Sequence, residues 1–586
     1  MAPSTFAVVN LRDGVRRDLD PFLLNNDAFP ILENAYLLRG KINRRSCFRS
    51  PGSDVGKDGR LKWQIGTTDG IGGAVITLAD IPIGIGYAQF TIGADTLTDP
   101  GGASPVTLLT TNAAIGTRTL NRATGVLTIA GAAINTAIIY TPGLPALGLK
   151  VLEVAAINDE RLIGFDTRYS YIFDQALSDY VAANTFKIAA PGVTSVFIWS
   201  GDIFNQFWTT NYLGVLFATN NIAGLNAYSI TNGTDILNSV ITISVGHNVV
   251  VGDIVMIANT NTGNTLNGRT FQVTVVAGAN ITINNTVAPG AGAFVSGFVI
   301  VLNRQVNAVG TGGDGIKWFD GPSVGNGWVN FIAPLNAGTP QRLLRGALMC
   351  MPYKGRLLVF NTFESSGANA PVNFKQRVRW CQNGTPFFTE DNAATAVEYL
   401  MPANQNANFD SWFDATPGKG GFIDATTGEA IVSAEFVKDI IVVYFERSTW
   451  QIIYTGNETL PFVWQKINTE LGAESTFSIV PFDQGAFSIG NYGIVVCDSV
   501  SVQRIDQKIP DEVFKIDNIN NGPNSVSGIR DYNAQLVYWS YPTKSFETNE
   551  SIPYDLTFPN NLLVYNYLDG SYAEFDDCFT CFGCFQ

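Results

Sequence analysis

IVSAEFVKDIIVVYFERSTWQIIYTG, residues 431–456, reads as three strands joined by two tight turns. The first strand covers Ile431 to Val437 and ends at Lys438-Asp439. The second, Ile440 to Phe445, is an unbroken apolar run rich in β-branched and aromatic side chains. Glu446-Arg447-Ser448 turns the chain, and Thr449 to Thr455 brings it back. Runs of this length and composition are strand signals. The middle run has no polar alternation, so both of its faces are expected to be buried, as in a strand central to a packed sheet. A lone three-stranded meander cannot cover such a strand, so similar sheets must flank it.

Outward from this stretch, related patterns recur at Val154–Phe173, Phe207–Thr219, Ala347–Thr362, Phe487–Asp506 and Gly528–Tyr541. Each combines apolar strands with a short polar turn, among them Asn158-Asp159 and Lys354-Gly355. Small meanders recurring every ~40–50 residues are the mark of a β-propeller. Because the spacing is uneven, a stack of β-sandwiches is the competing architecture. The expected fold class is all-β, an irregular β-propeller carrying two inserted small β-barrel or β-sandwich modules. The expected organisation is an N-terminal strip with the first propeller strands (1–80), an inserted β-module (81–148), propeller blades (149–228), an inserted small β-barrel (229–302), and the remaining blades with a closing strand (303–586).

The 586-residue chain is 46% hydrophobic and 15% charged, which fits a globular protein and not a disordered one. Lys and Arg total 36 against 50 Asp and Glu, a balance of −14. Such a chain does not hold nucleic acid by affinity, because phosphates are repelled, yet it suits a passage through which nucleic acid slides. The first residues lack the basic and apolar regions of a signal peptide, and no run reaches about 18 apolar residues, so no membrane span is expected. Cys47, Cys350, Cys381 and Cys497 stand singly and far apart, as free thiols of a reducing cytoplasm do.

Residues 1–50 carry eight bases against five acids. The bases are Arg12, Arg16, Arg17, Arg39, Lys41, Arg44, Arg45 and Arg49. On Asn34, Ala35, Tyr36, Gly40, Ile42, Arg44 and Arg45, this strip resembles the N-terminal segment of β-propeller tail proteins of tailed bacteriophages. The reading from the residues alone is a solvated basic strand pair around an Arg39-Gly40-Lys41 turn. Residues 81–148 are nearly uncharged and resemble small accessory modules of phage surface proteins, with a hairpin loop at Asn121–Gly125. Residues 229–302 resemble the first catalytic cysteine half-domain of ubiquitin-activating enzymes. The matching positions are Gly246-His247, Val251-Gly252-Asp253, Val255, Asn267-Gly268 and Phe271–Val275. This segment contains no cysteine, so no thioester can form on it. His247, the single histidine of the chain, is expected to cap a turn there.

The chemistry-bearing motifs are sparse. Gly310-Thr311-Gly312-Gly313-Asp314-Gly315 leads into Ile316-Lys317-Trp318-Phe319, a strand, whereas a dinucleotide site needs a helix N-terminus. Gly418-Lys419-Gly420 is not a P-loop. Adjacent carboxylates such as Glu390-Asp391 and Asp576-Asp577 point to opposite faces of a strand and do not converge. One histidine argues against Ser-His or Cys-His pairs and multi-His metal sites. Cys578, Cys581 and Cys584 offer three thiolates as candidate metal ligands, but a structural zinc site takes four, and a closing strand with buried Cys and Phe side chains is the competing reading. No cofactor and no enzymatic activity are expected.

The resemblance implies a tail nozzle or tail tubular component of a phage virion. Such a protein forms a ring, a hexamer on the resemblance, below the portal and adaptor, through which the genome leaves. It is assembled in the bacterial host cytoplasm, with portal, adaptor and other tail proteins, tail fibres among them, as neighbours. Arg12, Arg16, Arg17, Arg39, Arg44 and Arg45 are then the candidates for a subunit or adaptor interface. A second class of function is a propeller-based receptor or glycan binder on a virion or cell surface, with the inserts and the aromatic loops at Trp318, Trp328 and Trp412 as contacts.

Overall fold

A computed structural model describes residues 11–39, 41–45, 63–77, 88–100, 105–121, 124–141, 146–154, 159–167, 170–173, 186–188, 199, 201, 204–224, 227–234, 236, 238–245, 247, 249–258, 260, 266, 270–285, 293–303, 315–319, 328–336, 342–366, 369–387, 410–516, 522–543, 558–575 and 579–583. Among them the chain is built of β-strands and short 3-10 turns. The protein is all-β, and it divides into two units: residues 1–49 with 423–583, and residues 50–422 with 584–586.

Three antiparallel meanders follow one another in the unit formed by 1–49 and 423–583. The first has strands Ile431–Val437, Ile440–Phe445, Thr449–Tyr454 and Phe462–Asn468. The expected two-faced burial of its second strand is present, because Ile441 through Phe445 are all at 0% exposure. Lys438 takes a left-handed φ of 57° at the first turn, where only a tight reversal fits between paired neighbours Val437 and Ile440. The next meander runs through Val480–Phe482, Gly485–Gly490, Gly493–Cys497 and Val502–Arg504. The last runs through Ser527–Asp531, Leu536–Tyr541, Asn561–Asn566 and Ser571–Phe575. Consecutive meanders share cores. Val437, Val442 and Tyr444 of one pack with Ala486, Val495 and Cys497 of the next. Ile489 and Ile494 in turn join Val537, Trp539 and Val564.

The other unit repeats this grammar. One meander holds Gly148–Val154, Asp159–Phe165, Ser170–Phe173 and Phe186–Ile188. The next holds Trp208–Tyr212, Val215–Thr219, Ile316–Phe319 and Val329–Phe331. A five-stranded sheet follows, with Ala333–Pro334, Arg342–Tyr353, Arg356–Ser366, Val372–Trp380 and Gly421–Asp424. Shared cores again join neighbours: Ile163 and Phe165 with Leu216 and Phe319, then Phe217 and Trp318 with Leu344 and Val359. A buried ion network holds residue 414 against the long strands. Arg379 bonds Glu364 at 2.7 Å and pairs with Asp414 at 3.2 Å, and Arg342 reaches Asp414 at 2.7 Å. Burial pushes the Glu364 carboxyl up, but Arg379 and Arg377 pull it further down, so it stays below the usual carboxylate range.

Two modules interrupt this series. Strands Trp63–Thr67, Ala137–Thr141, Gln89–Ile92 and Asp95–Thr98 form one sheet, and Ala74–Thr77, Val126–Ala130, Thr117–Asn121 and Val106–Thr107 form another. Their inner side chains, including Phe90, Leu97, Leu120 and Ile129, make one core, so the module is a sandwich. It takes in strands from residue 63 onward, because Ala74–Thr77 pairs with Val126–Ile129.

The second module is a closed barrel of Ala227–Thr234, Val240–Ile243, Asn280–Ile283, Thr270–Ala277, Ile254–Ala258 and Phe298–Asn303, paired in that order back to the first. Alternating apolar side chains such as Ile241, Ile243, Phe271, Val273, Ile281 and Ile283 fill it. Gly224 before the barrel and Gly315 after it converge on Arg345: Gly224 donates its N–H to the Arg345 carbonyl, and the Arg345 Nε donates to the Gly224 carbonyl at 2.7 Å. Gly315 has φ +88°, and a Cβ there would lie 2.6 Å from the Arg345 oxygen. Burial lowers the Arg345 pKa to about 10, a value at which the guanidinium still carries its charge at neutral pH.

Phe445 is fully buried and packs edge-on against Trp464 and tilted on Trp450. Phe445→Ala is expected to cost about 3–5 kcal/mol, read as a lowered midpoint in calorimetry. Val372→Ala, at a 58% exposed position, is expected to stay within ~0.5 kcal/mol of the parent.

Candidate interface at the N-terminal strip

The strip is held by the last meander. Leu32 accepts the Glu574 N–H, and Asn34 donates its N–H to the Glu574 carbonyl at 2.9 Å. The free edge of Ser571–Phe575 is thereby covered, which removes a template for stray strand pairing. Val15, Leu32 and Leu37 enter the same core as Trp539, Leu563 and Tyr572. Asn566 donates a side-chain N–H to the Leu37 carbonyl at 2.8 Å. Ala35–Leu38 and Lys41–Arg44 then form a hairpin, with Arg39 at a left-handed φ of 53°.

Beneath the strip lies a compact ion cluster. Arg17 Nη1 pairs with Glu512 at 2.5 Å and with Glu574 at 2.8 Å, while Lys515 Nζ pairs with Glu512 at 2.8 Å and with Glu574 at 3.5 Å. The Tyr541 hydroxyl donates to Glu512 at 2.6 Å. Burial alone pushes the Glu574 carboxyl up. The Arg17 hydrogen bond and the charges of Arg17 and Lys515 outweigh it, so the group sits below the usual carboxylate range. Desolvation pulls Arg17 down, and its two carboxylate partners raise it further than that. Arg16 is spent on Asp13 at 3.2 Å and Asp18 at 2.7 Å. The Arg45 guanidinium lies 5.8 Å from the Phe575 ring centre.

The six arginines proposed for an interface therefore separate. Arg16 and Arg17 are committed within the chain, and Arg45 lies against the last strand. Arg12 is exposed at the start of the described strip. Arg39 and Arg44 are exposed, as is Lys41, and they make no ion pair among the described residues. The same strip also exposes apolar side chains: Phe22 at 96%, Leu23 at 70% and Ile31 at 62%, with Ile42 half-exposed. Pro21 opens a single 3-10 turn, in which Phe22 donates its N–H to the Asp20 carboxylate at 3.0 Å.

The other candidates lie elsewhere. Trp318 and Trp412 are core residues, not loop contacts: Trp318 packs edge-on against Phe387 at 5.2 Å, and Trp412 is fully buried with its indole N–H on the Pro386 carbonyl. Trp328 stacks on Phe319 at 5.2 Å and donates to the Ser170 hydroxyl. The sequence misleads at these positions because a tryptophan beside a polar stretch looks like a loop tip, whereas the sheets fold it inward. His247 donates its Nε2–H to the Gly278 carbonyl at 2.8 Å, tying two barrel turns together. Cys578 and Cys584 lie outside the described residues, as do 310–314, Glu390-Asp391 and Asp576-Asp577. Burial pushes the Cys581 thiol up to about 12, so it is not a thiolate at neutral pH. Among the described residues no group of three His, Cys, Asp or Glu side chains is placed to hold a metal ion.

No protein-family model matches the chain, and no curated protein does. Among solved structures, one described as "Phage phi92 endosialidase" aligns at 10% identity with a TM-score of 0.15, covering 82% of this chain and 65% of that one. A superposition that loose carries no argument about function. No helix among the described residues is long and apolar enough to cross a membrane.

Arg17→Met is expected to cost about 3 kcal/mol, the low end for a broken buried pair because Arg17 is a quarter exposed. Glu574 titrates below its unfolded value of ~4.3, so its contribution is complete above that value and is lost as pH falls through the lowered one. The variant's deficit in melting temperature is therefore expected to be large at pH 7 and to shrink toward pH 3.

Proposed function

We propose that the chain is a structural protein of a tailed-phage virion, one subunit of a ring in the tail nozzle or tail tube through which the genome passes. The observation that carries this reading is the strip: exposed cations and apolar side chains gathered on one short segment of a chain whose overall charge is −14. A segment of that chemistry fits a protein neighbour, and it is the same segment that resembles the opening of phage tail propellers. The serial meanders supply a scaffold within each unit, and the sandwich and barrel are added as further sheets. An acidic wall around a channel repels DNA and keeps it mobile. Portal, adaptor and other tail proteins are the neighbours this reading implies. Two of the three tryptophans that the glycan-binding alternative would use as contacts, Trp318 and Trp412, lie in the core.

Negative-stain micrographs of the purified protein, alone and with its virion neighbours, are expected to show rings with a central hole. Monomers or trimers that retain sugars on a glycan array would overturn the proposal. Arg39→Glu with Arg44→Glu reverses two exposed charges without touching the ion cluster below. This double variant is expected to melt within about 2 °C of the parent and to assemble no rings.

A further inference from the structure

We propose that Lys317 and Asn330 are joined by a side-chain amide bond, which the chain makes by itself with loss of ammonia. The inference does not depend on the ring reading. It names a covalent staple between the two strands by which the chain rejoins its sheet after the barrel.

Register brings the two residues together. Ile316–Phe319 and Val329–Phe331 pair antiparallel, and Lys317 stands directly opposite Asn330. Side chains opposite each other on one face of a sheet are in contact. Lys317 Nζ donates to the Asn330 Oδ1, and Asn330 turns its Nδ2 onto the Val301 carbonyl at 3.3 Å. The carboxamide is therefore held at both ends, with its carbonyl toward the amine.

The surroundings suit an amine better than an ammonium. Lys317 is 2% exposed and is the only buried lysine among the described residues. Its side chain leaves the sheet on the side of Phe319, whose core includes Phe165, Trp199 and Leu216. Nζ lies 5.3 Å from the Trp199 ring centre. Lysine is almost never buried this fully unless it is paired. Leaving water favours its uncharged form, which is the nucleophile. Fixed proximity replaces the encounter that makes the same reaction slow in solution. A buried acid adjoins the cluster: Asp166, at 0% exposure, follows Phe165, whose ring stands 5.6 Å from Trp328 and 6.3 Å from Trp199.

The neutral Nζ attacks Asn330 Cγ. The Nζ–Cγ bond forms and the Cγ–Nδ2 bond breaks. The proton that Nζ loses passes by way of Asp166 to Nδ2, which leaves as ammonia. No oxidant, nucleotide or metal is consumed. Val329–Phe331 meets Ile316–Phe319 through only three residue pairs, so a covalent link there holds a hairpin that hydrogen bonds alone hold weakly.

The parent chain decides the question. In intact-mass spectrometry the denatured full chain is expected to weigh less than its sequence by one ammonia. Trypsin is expected to leave the chain uncut after Lys317 and to release residues 305–342 as one looped peptide with the same deficit. Asn326-Gly327 lies in that peptide and can also lose ammonia, by ring closure. Lys317→Arg, which lacks the nucleophilic amine, is therefore expected to restore the sequence mass. A parent of full sequence mass that trypsin cuts after Lys317 would overturn the proposal and leave an ammonium held by Asn330 and Trp199. A deficit that survives Lys317→Arg would overturn it as well. Asp166→Asn is expected to leave most chains unjoined, and joining as complete as in the parent would remove Asp166 as the proton carrier.

Discussion

A strand buried on both faces can satisfy its backbone only through two flanking strands, and its side chains only through sheets above and below. Ile441–Phe445 sets this constraint: strands 431–437 and 449–454 pair with it on either side, and Val442 and Tyr444 pack on the next meander. Within each unit neighbouring sheets share cores, so the interior is a series of interfaces between sheets and not a single mass. The same arrangement tolerates insertions. The barrel leaves the series between Val215–Thr219 and Ile316–Phe319, two strands that still pair with each other, so the insertion costs that sheet no hydrogen bonds.

A serial arrangement has an exposed edge at its end, and the N-terminal strip covers it. The contact spans nearly the whole sequence: Asn34 meets Glu574, and Arg17 meets Glu512 and Glu574. Two carboxylates and two cations share one partly dry site, so none is left as an unpaired buried charge. Hydrophobic contacts alone would place the strip with some latitude. The bonds from Arg17 and the Tyr541 hydroxyl to Glu512 fix one position, and the exposed face of the strip is presented in that position.

Much of this was legible in the residues. Strand boundaries at 431–437 and 440–445 coincide with the apolar runs. These features are local, and period and composition report them directly. What was not legible is non-local. Phe462–Asn468, the fourth strand beside Thr449–Tyr454, carries Gln465 and Lys466 on an exposed edge and so lacks an apolar signature. Strands at 63–67 and 74–77 join a sandwich whose other strands lie up to ~70 residues away in sequence, and no pattern in 63–77 announces it. The strip's basic residues read as a block, yet Arg16 and Arg17 differ from Arg39 and Arg44 by what stands opposite them. For Arg16 that is the nearby Asp13 and Asp18; for Arg17 it is Glu512 and Glu574, near the other end of the sequence.

The division among the arginines also explains why a chain this acidic concentrates cations at its start. A basic segment can be anchored to an acidic body by a few buried pairs, because each carboxylate there gains a partner in a site of reduced dielectric. Once anchored, its remaining cations cannot all be neutralised by the same body, since the hairpin holds Arg39 and Arg44 on the outer side. The segment is therefore complementary to its own chain on one face and carries exposed cations on the other.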